Sequence, residues 1–211
     1  MVTAAATGTE EPEEKERQAA EGDLAASLNR TELDPMHDLH PKCDSGLNRS
    51  TGESMETKPE PRIVRLTVAT DQALVILQEY YDAVHVIQRD TPGSVQEIVD
   101  APGSGVWLAY LGEEVVGCVV LRKLRSIPSA SECKRLYVKP SARGNRIADQ
   151  LLDAQEDYAR SQGINSIYLD SFDDLKTAIA LYERRGYERC ERYNDNPQAT
   201  LYMRKRLGSA P

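Results

Sequence analysis

The chain has 211 residues, 34 acidic and 26 basic, with a formal charge of −8. That length accommodates one ordinary domain and an extra segment, and charge divides the two: residues 1–60 hold 14 Asp/Glu against 6 Lys/Arg, while the remainder holds 20 of each. All twelve aromatics follow residue 60, and only 17 of the first 60 residues are apolar. Residues 1–60 therefore read as a disordered acidic tail, unable to bury enough surface to offset chain entropy and free to meet a basic partner. Residues 61–207 read as the working domain and 208–211 as a flexible end. No apolar run approaches the ~20 residues of a membrane helix, and the acidic start lacks the pattern of a signal or transit peptide. The domain has no basic excess that would suggest nucleic acid. Cys43, Cys118, Cys133 and Cys190 show no CxxC spacing and read as reduced thiols. His37, His40 and Cys43 stand three apart in a segment with nothing to hold a metal geometry, so no metal site is expected. The expectation is a soluble cytoplasmic protein, with the nucleus also open to it.

In chain order, Ile63–Ala69 alternates as a first strand. Asp71 can cap a helix to Gln88, with Leu74, Leu77, Tyr81, Val84 and Ile87 near helical spacing. Thr91-Pro92 opens a short second helix through Val99. Val106–Leu111 and Val115–Leu124 form a hairpin about Gly112, and the nearly unbroken apolar run from Val115 suits a strand covered on both faces. Glu132–Val138 is a strand ending at Pro140. A turn at Arg143-Gly144-Asn145 leads into a helix reaching Gln162 and stopped by Gly163. Ser166–Phe172 is a strand, Leu175–Arg185 a helix stopped by Gly186, and Tyr187–Tyr193 and Thr200–Leu207 are two last strands. The order β-α-α-β-β-β-α-β-α-β-β predicts a mixed α/β domain.

The turn in Lys134–Ala148, KRLYVKPSARGNRIA, joins a strand to a helix whose first N–H groups can hold a phosphate. It lacks the Gly-Lys-Ser/Thr ending of a P-loop and the G-x-G-x-x-G of dinucleotide folds. An ordinary strand-to-helix connection with a solvated Arg is the plainer alternative.

From about residue 62 to 207 the domain resembles the GNAT acyltransferase superfamily. The matching residues are LYVKPSARGNRIA at Leu136–Ala148, AIALYERRGY at Ala178–Tyr187 and the hairpin LGEEVVGCVVLR at Leu111–Arg122, extended by KRLYV and YNDNP. The resemblance implies acetyl transfer from acetyl-CoA to an amine, without a metal. By it, Arg143, Gly144, Asn145, Arg146, Ile147 and Ala148 would hold the pyrophosphate. The backbone of the Leu136-Tyr137-Val138 stretch, at Leu136 and Val138, would pair with the pantetheine arm. Tyr182 would be the general acid for the departing thiolate, and Glu132 the base, directly or through water. Asp170, Ser171, Tyr193 and Asp195 would border the acceptor.

Each residue has a structural alternative: a packed tyrosine, an exposed strand carboxylate, or turn residues. Cys133 is expected to be a buried neutral thiol. Three residues depart from the pattern. Arg146 stands where Gly is usual, Asp149 where neutral or basic residues are frequent, and Leu175 where many relatives carry an Asn. They keep open a CoA-binding regulatory domain without catalysis. A protein acetyltransferase recruited by the acidic tail is a further alternative, and paired edge strands at the carboxyl end admit a homodimer.

Overall fold

The computed structural model describes residues 59–208, within a unit spanning Met55–Pro211. The acidic tail, apart from its last two residues, lies outside the described residues, with His37, His40 and Cys43. The elements are β1 (Arg62–Arg65), α1 (Asp71–Ala83), α2 (Pro92–Asp100), β2 (Gly105–Leu111), β3 (Glu114–Lys123), β4 (Ala130–Val138), α3 (Ile147–Ser161), β5 (Ser166–Ser171), α4 (Lys176–Arg184), β6 (Glu188–Arg189) and β7 (Leu201–Arg206). This is the expected order, with differences at the ends of elements.

The cap of α1 is Thr70, whose hydroxyl accepts from the Ala73 N–H, so Asp71 is the first helical residue instead. The helix ends at Ala83, not Gln88. Val84 leaves helical geometry, His85 takes φ 52°, and the following linker is drawn into tertiary hydrogen bonds at Asp90. Helix α2 begins as expected, with Thr91 and Ser94 capping each other across its first turn. β6 keeps only two residues of the expected seven, because Tyr193 and Asn194 leave the sheet to bond Glu132.

The sheet order is β1-β2-β3-β4-β5-β7-β6. Neighbours are antiparallel except β4 and β5, whose parallel pairing requires a crossover; α3 supplies it. As its composition predicts, β3 is buried on both faces. Val116, Val119 and Leu121 join Ile147, Leu151 and Leu152 of α3 and Ile179 and Tyr182 of α4. Val115, Cys118 and Val120 pack beneath Ile76, Leu77 and Tyr81 of α1 and Val95 and Val99 of α2.

The two helices on the first face are clamped by charge. Arg185, just past α4, donates to Asp153 at 2.6 Å and Glu156 at 3.2 Å on α3. Glu156, 3% exposed, is also bonded by Lys205 of β7 at 2.6 Å. With Arg160 of α3 also 3.5 Å away, Glu156 is a buried carboxylate held by three cations and costly to strip of any of them, so α3, α4 and β7 are fixed relative to one another.

Candidate active site

Strands β4 and β5 pair only at Ala130↔Ser166, Ser131↔Ile167 and Glu132↔Tyr168. Beyond Glu132, β4 continues to Val138 with β3 alone. The parting coincides with a bulge: Cys118 and Val120 of β3 oppose Tyr137 and Lys134, leaving an extra residue on β4, and Arg135 there takes φ 57°. Arg135 Nε is bonded to Asp90 Oδ2 at 3.0 Å, which also accepts from the Tyr81 hydroxyl at 2.7 Å. The α1–α2 linker thus anchors the bulge.

The Lys139 N–H donates to the Val116 carbonyl at 2.8 Å, so strand alternation turns the main-chain groups of Val138 and Leu136 away from β3, into the gap. The Tyr137 ring goes to the other face, 6.3 Å from Tyr80, leaving its backbone, not its side chain, in the cleft-forming stretch. After the short turn Pro140–Ala142, Gly144 takes φ 81° and Arg146 φ 55°, and Ile147 opens α3. Arg146, the cap, makes no side-chain cap hydrogen bond. The amide of Asn145 turns back to the Ala142 carbonyl at 2.9 Å, and Arg143 Nε donates to the Val138 carbonyl at 3.3 Å. The first N–H groups of α3, including those of Ile147 and Ala148, therefore meet no capping side chain and carry the positive end of the helix dipole. A Cβ on Gly144 would meet nothing within 4 Å, so positive φ rather than crowding is what calls for glycine there.

A polar cluster closes the inner end of the gap. Glu132 Oε1 accepts from the Tyr193 hydroxyl and Asn194 Nδ2, each at 2.8 Å, and lies 3.1 Å from Lys134 Nζ. Asp170 accepts from Lys134 at 3.2 Å, Asn194 at 2.8 Å and Asn196 at 3.1 Å. Burial would raise the Asp170 carboxyl, but Lys134 and the two amides outweigh it and hold the pKa below the usual value. Burial, with the Glu132 and Asp170 carboxylates, pushes the Tyr193 phenol well upward.

Tyr182 of α4 is 8% exposed, its ring 5.6 Å from that of Tyr187. Burial raises its pKa well above that of a free phenol, and Cys133, Tyr80 and Asp170 act in the same direction. Cys133 is pushed to about 12 by burial, which leaves it a neutral thiol.

The structure thus gathers Glu132, Asp170 and Tyr193, and adds Lys134, Asn194 and Asn196. Lys134 was legible as the residue two past Glu132, on the same strand face, but its partner Asp170 is 36 residues away. Ser171 contributes its carbonyl to the Thr200 N–H at 3.0 Å and stands outside the cluster. Asp195 is not brought in: it is fully exposed, 3.5 Å from Arg192, because the loop turns it outward while Asn194 and Asn196 face Asp170. No group of three or more His, Cys, Asp or Glu side chains suited to a metal occurs among the described residues.

The sequence model of the acetyltransferase (GNAT) family matches residues 71–187. The chain belongs to the GNAT family of acyltransferases. An uncharacterized N-acetyltransferase of Schizosaccharomyces pombe is 34% identical over 106 residues, 49% of this chain and 64% of its own length. One from Escherichia coli, also uncharacterized, is 28% identical over 137 residues, 61% of this chain and 82% of its own. An IAA acetyltransferase of Azospirillum brasilense is 37% identical over 73 residues, 35% of this chain and 47% of its own. The chain therefore spans less than two thirds of the yeast and Azospirillum proteins. An acetyltransferase of the GNAT family from Staphylococcus aureus shares the fold, with a TM-score of 0.61 and 20% identity over 70% of this chain and 99% of that one.

The structure gives each departure from the GNAT pattern a local meaning. Arg146 occupies the left-handed region, where a side chain costs roughly 1–2 kcal/mol and glycine does not. Asp149 does not face the helix end uncompensated: Arg184 holds it at 3.2 Å and Arg185 at 3.5 Å. Leu175 is the cap of α4 and makes no side-chain cap bond, so an Asn side chain has no substitute there.

Proposed function

We propose that this GNAT protein transfers acetyl from acetyl-CoA to the primary amine of a small-molecule or amino-acid-like acceptor. The observation that carries this reading is the continuity of the unpaired β4 edge with the uncapped start of α3. An extended arm can add to Leu136 and Val138 as a strand would, and its diphosphate then reaches the N–H groups of α3 and the guanidiniums of Arg143 and Arg146. The residues fit such a ligand: the edge groups have no strand partner beyond Glu132, and space lies open at Gly144. Acetyl-CoA when bound supplies an activated thioester.

The chain's own contribution is position and proton transfer. The Leu136 main chain orients the arm. Tyr182, kept protonated by its buried setting, can donate its proton to a departing thiolate. Glu132 can accept a proton from the ammonium, directly or through water.

A second reading, CoA binding without turnover, draws on one observation: Glu132 Oε1 already has three partners. Thermal unfolding with acetyl-CoA and with 3′-dephospho-CoA, followed by an amine-library screen for thiol release, separates the two. Stabilisation of about 2.7 kcal/mol is expected at a hundredfold excess over Kd. Stabilisation without thiol release for any amine supports the second reading, and no stabilisation refutes both.

A further inference from the structure

On the face of the sheet away from α3 and α4, the buried layer beneath α1 and α2 draws no residue from β5, β6 or β7. The chain after β6 folds back over that uncovered area. Tyr193 packs there on Tyr168 and Tyr202, with ring centroids 5.0 and 5.8 Å apart. Beside these rings an open cavity of about 620 Å³ is lined by Tyr168, Cys190, Tyr193, Arg189, Arg192 and Arg204. That volume lies within the range of small-molecule sites.

The wall is unbalanced in charge. It contains three guanidiniums and one carboxylate, Glu191. Half-buried Arg204 has neither an ion pair nor a hydrogen bond from its side chain among the described residues. Arg189 and Arg192 have loose, exposed carboxylate partners outside the wall, Asp173 at 3.6 Å and Asp195 at 3.5 Å, and such pairs contribute little; Arg192 Nε also donates to the Asn194 carbonyl at 2.7 Å, which leaves its charge uncompensated. Arg185 and Lys205, by contrast, hold carboxylates closely, Asp153 and Glu156, both at 2.6 Å. Folding therefore leaves positive potential at this cavity, and guanidiniums suit the paired oxygens of a carboxylate or phosphate. The cavity also adjoins the proposed base. Tyr168 is the register partner of Glu132, and Tyr193, which forms the wall, donates its hydroxyl to Glu132 at 2.8 Å.

We propose that this cavity receives the anionic end, a carboxylate or phosphate, of an amine acceptor whose body lies against Tyr168 and Tyr193. The proposal rests on the acetyltransferase reading and narrows its acceptor to amines that also carry an anionic group.

Cys190 is a built-in reporter, since it lines the cavity and is partly exposed, whereas Cys118 and Cys133 are buried. Its alkylation by iodoacetamide in the full chain, followed by peptide mass spectrometry, should slow about fivefold or more near saturation with phenylacetate or phenyl phosphate. The two probes distinguish carboxylate from phosphate. Neutral phenylacetamide should give no protection, and both Arg204→Gln and Arg192→Gln should weaken the protection by the anions. In turnover, phenylalanine should exceed 2-phenylethylamine in kcat/KM, or phosphoethanolamine should exceed ethanolamine, by about tenfold, and Arg204→Gln should erase the difference. Equal protection by the amide, or none by either anion, overturns the pocket. Protection without a turnover preference overturns its assignment to the acceptor. Thiol release with no amine at all would count against the acetyltransferase reading, while Cys190 protection still reports on the pocket.

Discussion

Tyr182 illustrates how a single residue's role depends on surroundings that its sequence neighbours do not show. On α4 it belongs to an apolar stripe and packs on Tyr187, as any core tyrosine would. The groups acting on its hydroxyl, Cys133, Tyr80 and Asp170, come from β4, α1 and β5. Tyr182→Phe should lower kcat about 100-fold with little change in acetyl-CoA affinity. Because its phenol titrates above the ordinary value of about 10, it should contribute no basic limb to the kcat profile at lower pH. Steady-state kinetics across pH, with calorimetric binding, test both statements, and an unchanged kcat would assign Tyr182 to packing alone. At this scale the chemical types were legible, but the conformations were not. Arg146 could be read as a replaced glycine, whereas its left-handed φ of 55° follows from the turn between Ala142 and Ile147.

Among the elements, β4 performs two tasks that conflict in an ideal sheet. It pairs with β3 on one side, yet must leave β5 after three residues. The bulge at Arg135 resolves the conflict, and close approach by Gly117 keeps β3 tight against the departing segment. A Cβ on Gly117 would lie 2.7 Å from the Tyr137 carbonyl oxygen, a backbone atom that cannot swing aside. Gly117→Ala should therefore push β4 outward, destabilise the fold by about 1–3 kcal/mol and weaken acetyl-CoA binding. Denaturant unfolding and calorimetry measure the two effects, and wild-type affinity would show that the free edge does not hold the ligand. The strands and helices themselves were legible from periodicity and from Gly and Pro punctuation. The bulge was not, since nothing local in KRLYV marks Arg135 rather than its neighbours for the extra place.

In the molecule as a whole, Glu132, Lys134 and Asp170 tie β4, β5 and the loop of Asn194 and Asn196 into one unit. Asp170 has its pKa lowered on folding, so its contribution to stability is complete above the unfolded value of about 4 and is lost as pH falls through the folded value. Asp170→Asn should flatten the fall in Tm at acid pH relative to wild type, while lowering Tm at neutral pH. Thermal scans from neutral to strongly acid pH check this, and parallel curves for the two proteins would remove Asp170 from the acid response. The overall charge also acquires a location. Within the domain, where the two signs balance, the cavity beside Tyr193 gathers three arginines, two with exposed carboxylate partners and the third, Arg204, with none among the described residues.

By itself the sequence determined the order of elements and the family, because periodicity and turn residues act over short stretches of chain. It also indicated the helix start that suits a phosphate. Only the tertiary structure decided that β4 and β5 part after Glu132, that Lys134 and two asparagines join the carboxylates, that Asp195 faces outward, and that three arginines share one wall. Each of these depends on contacts between segments distant in sequence, whose register and side-chain direction are set when the sheet assembles around its two buried faces.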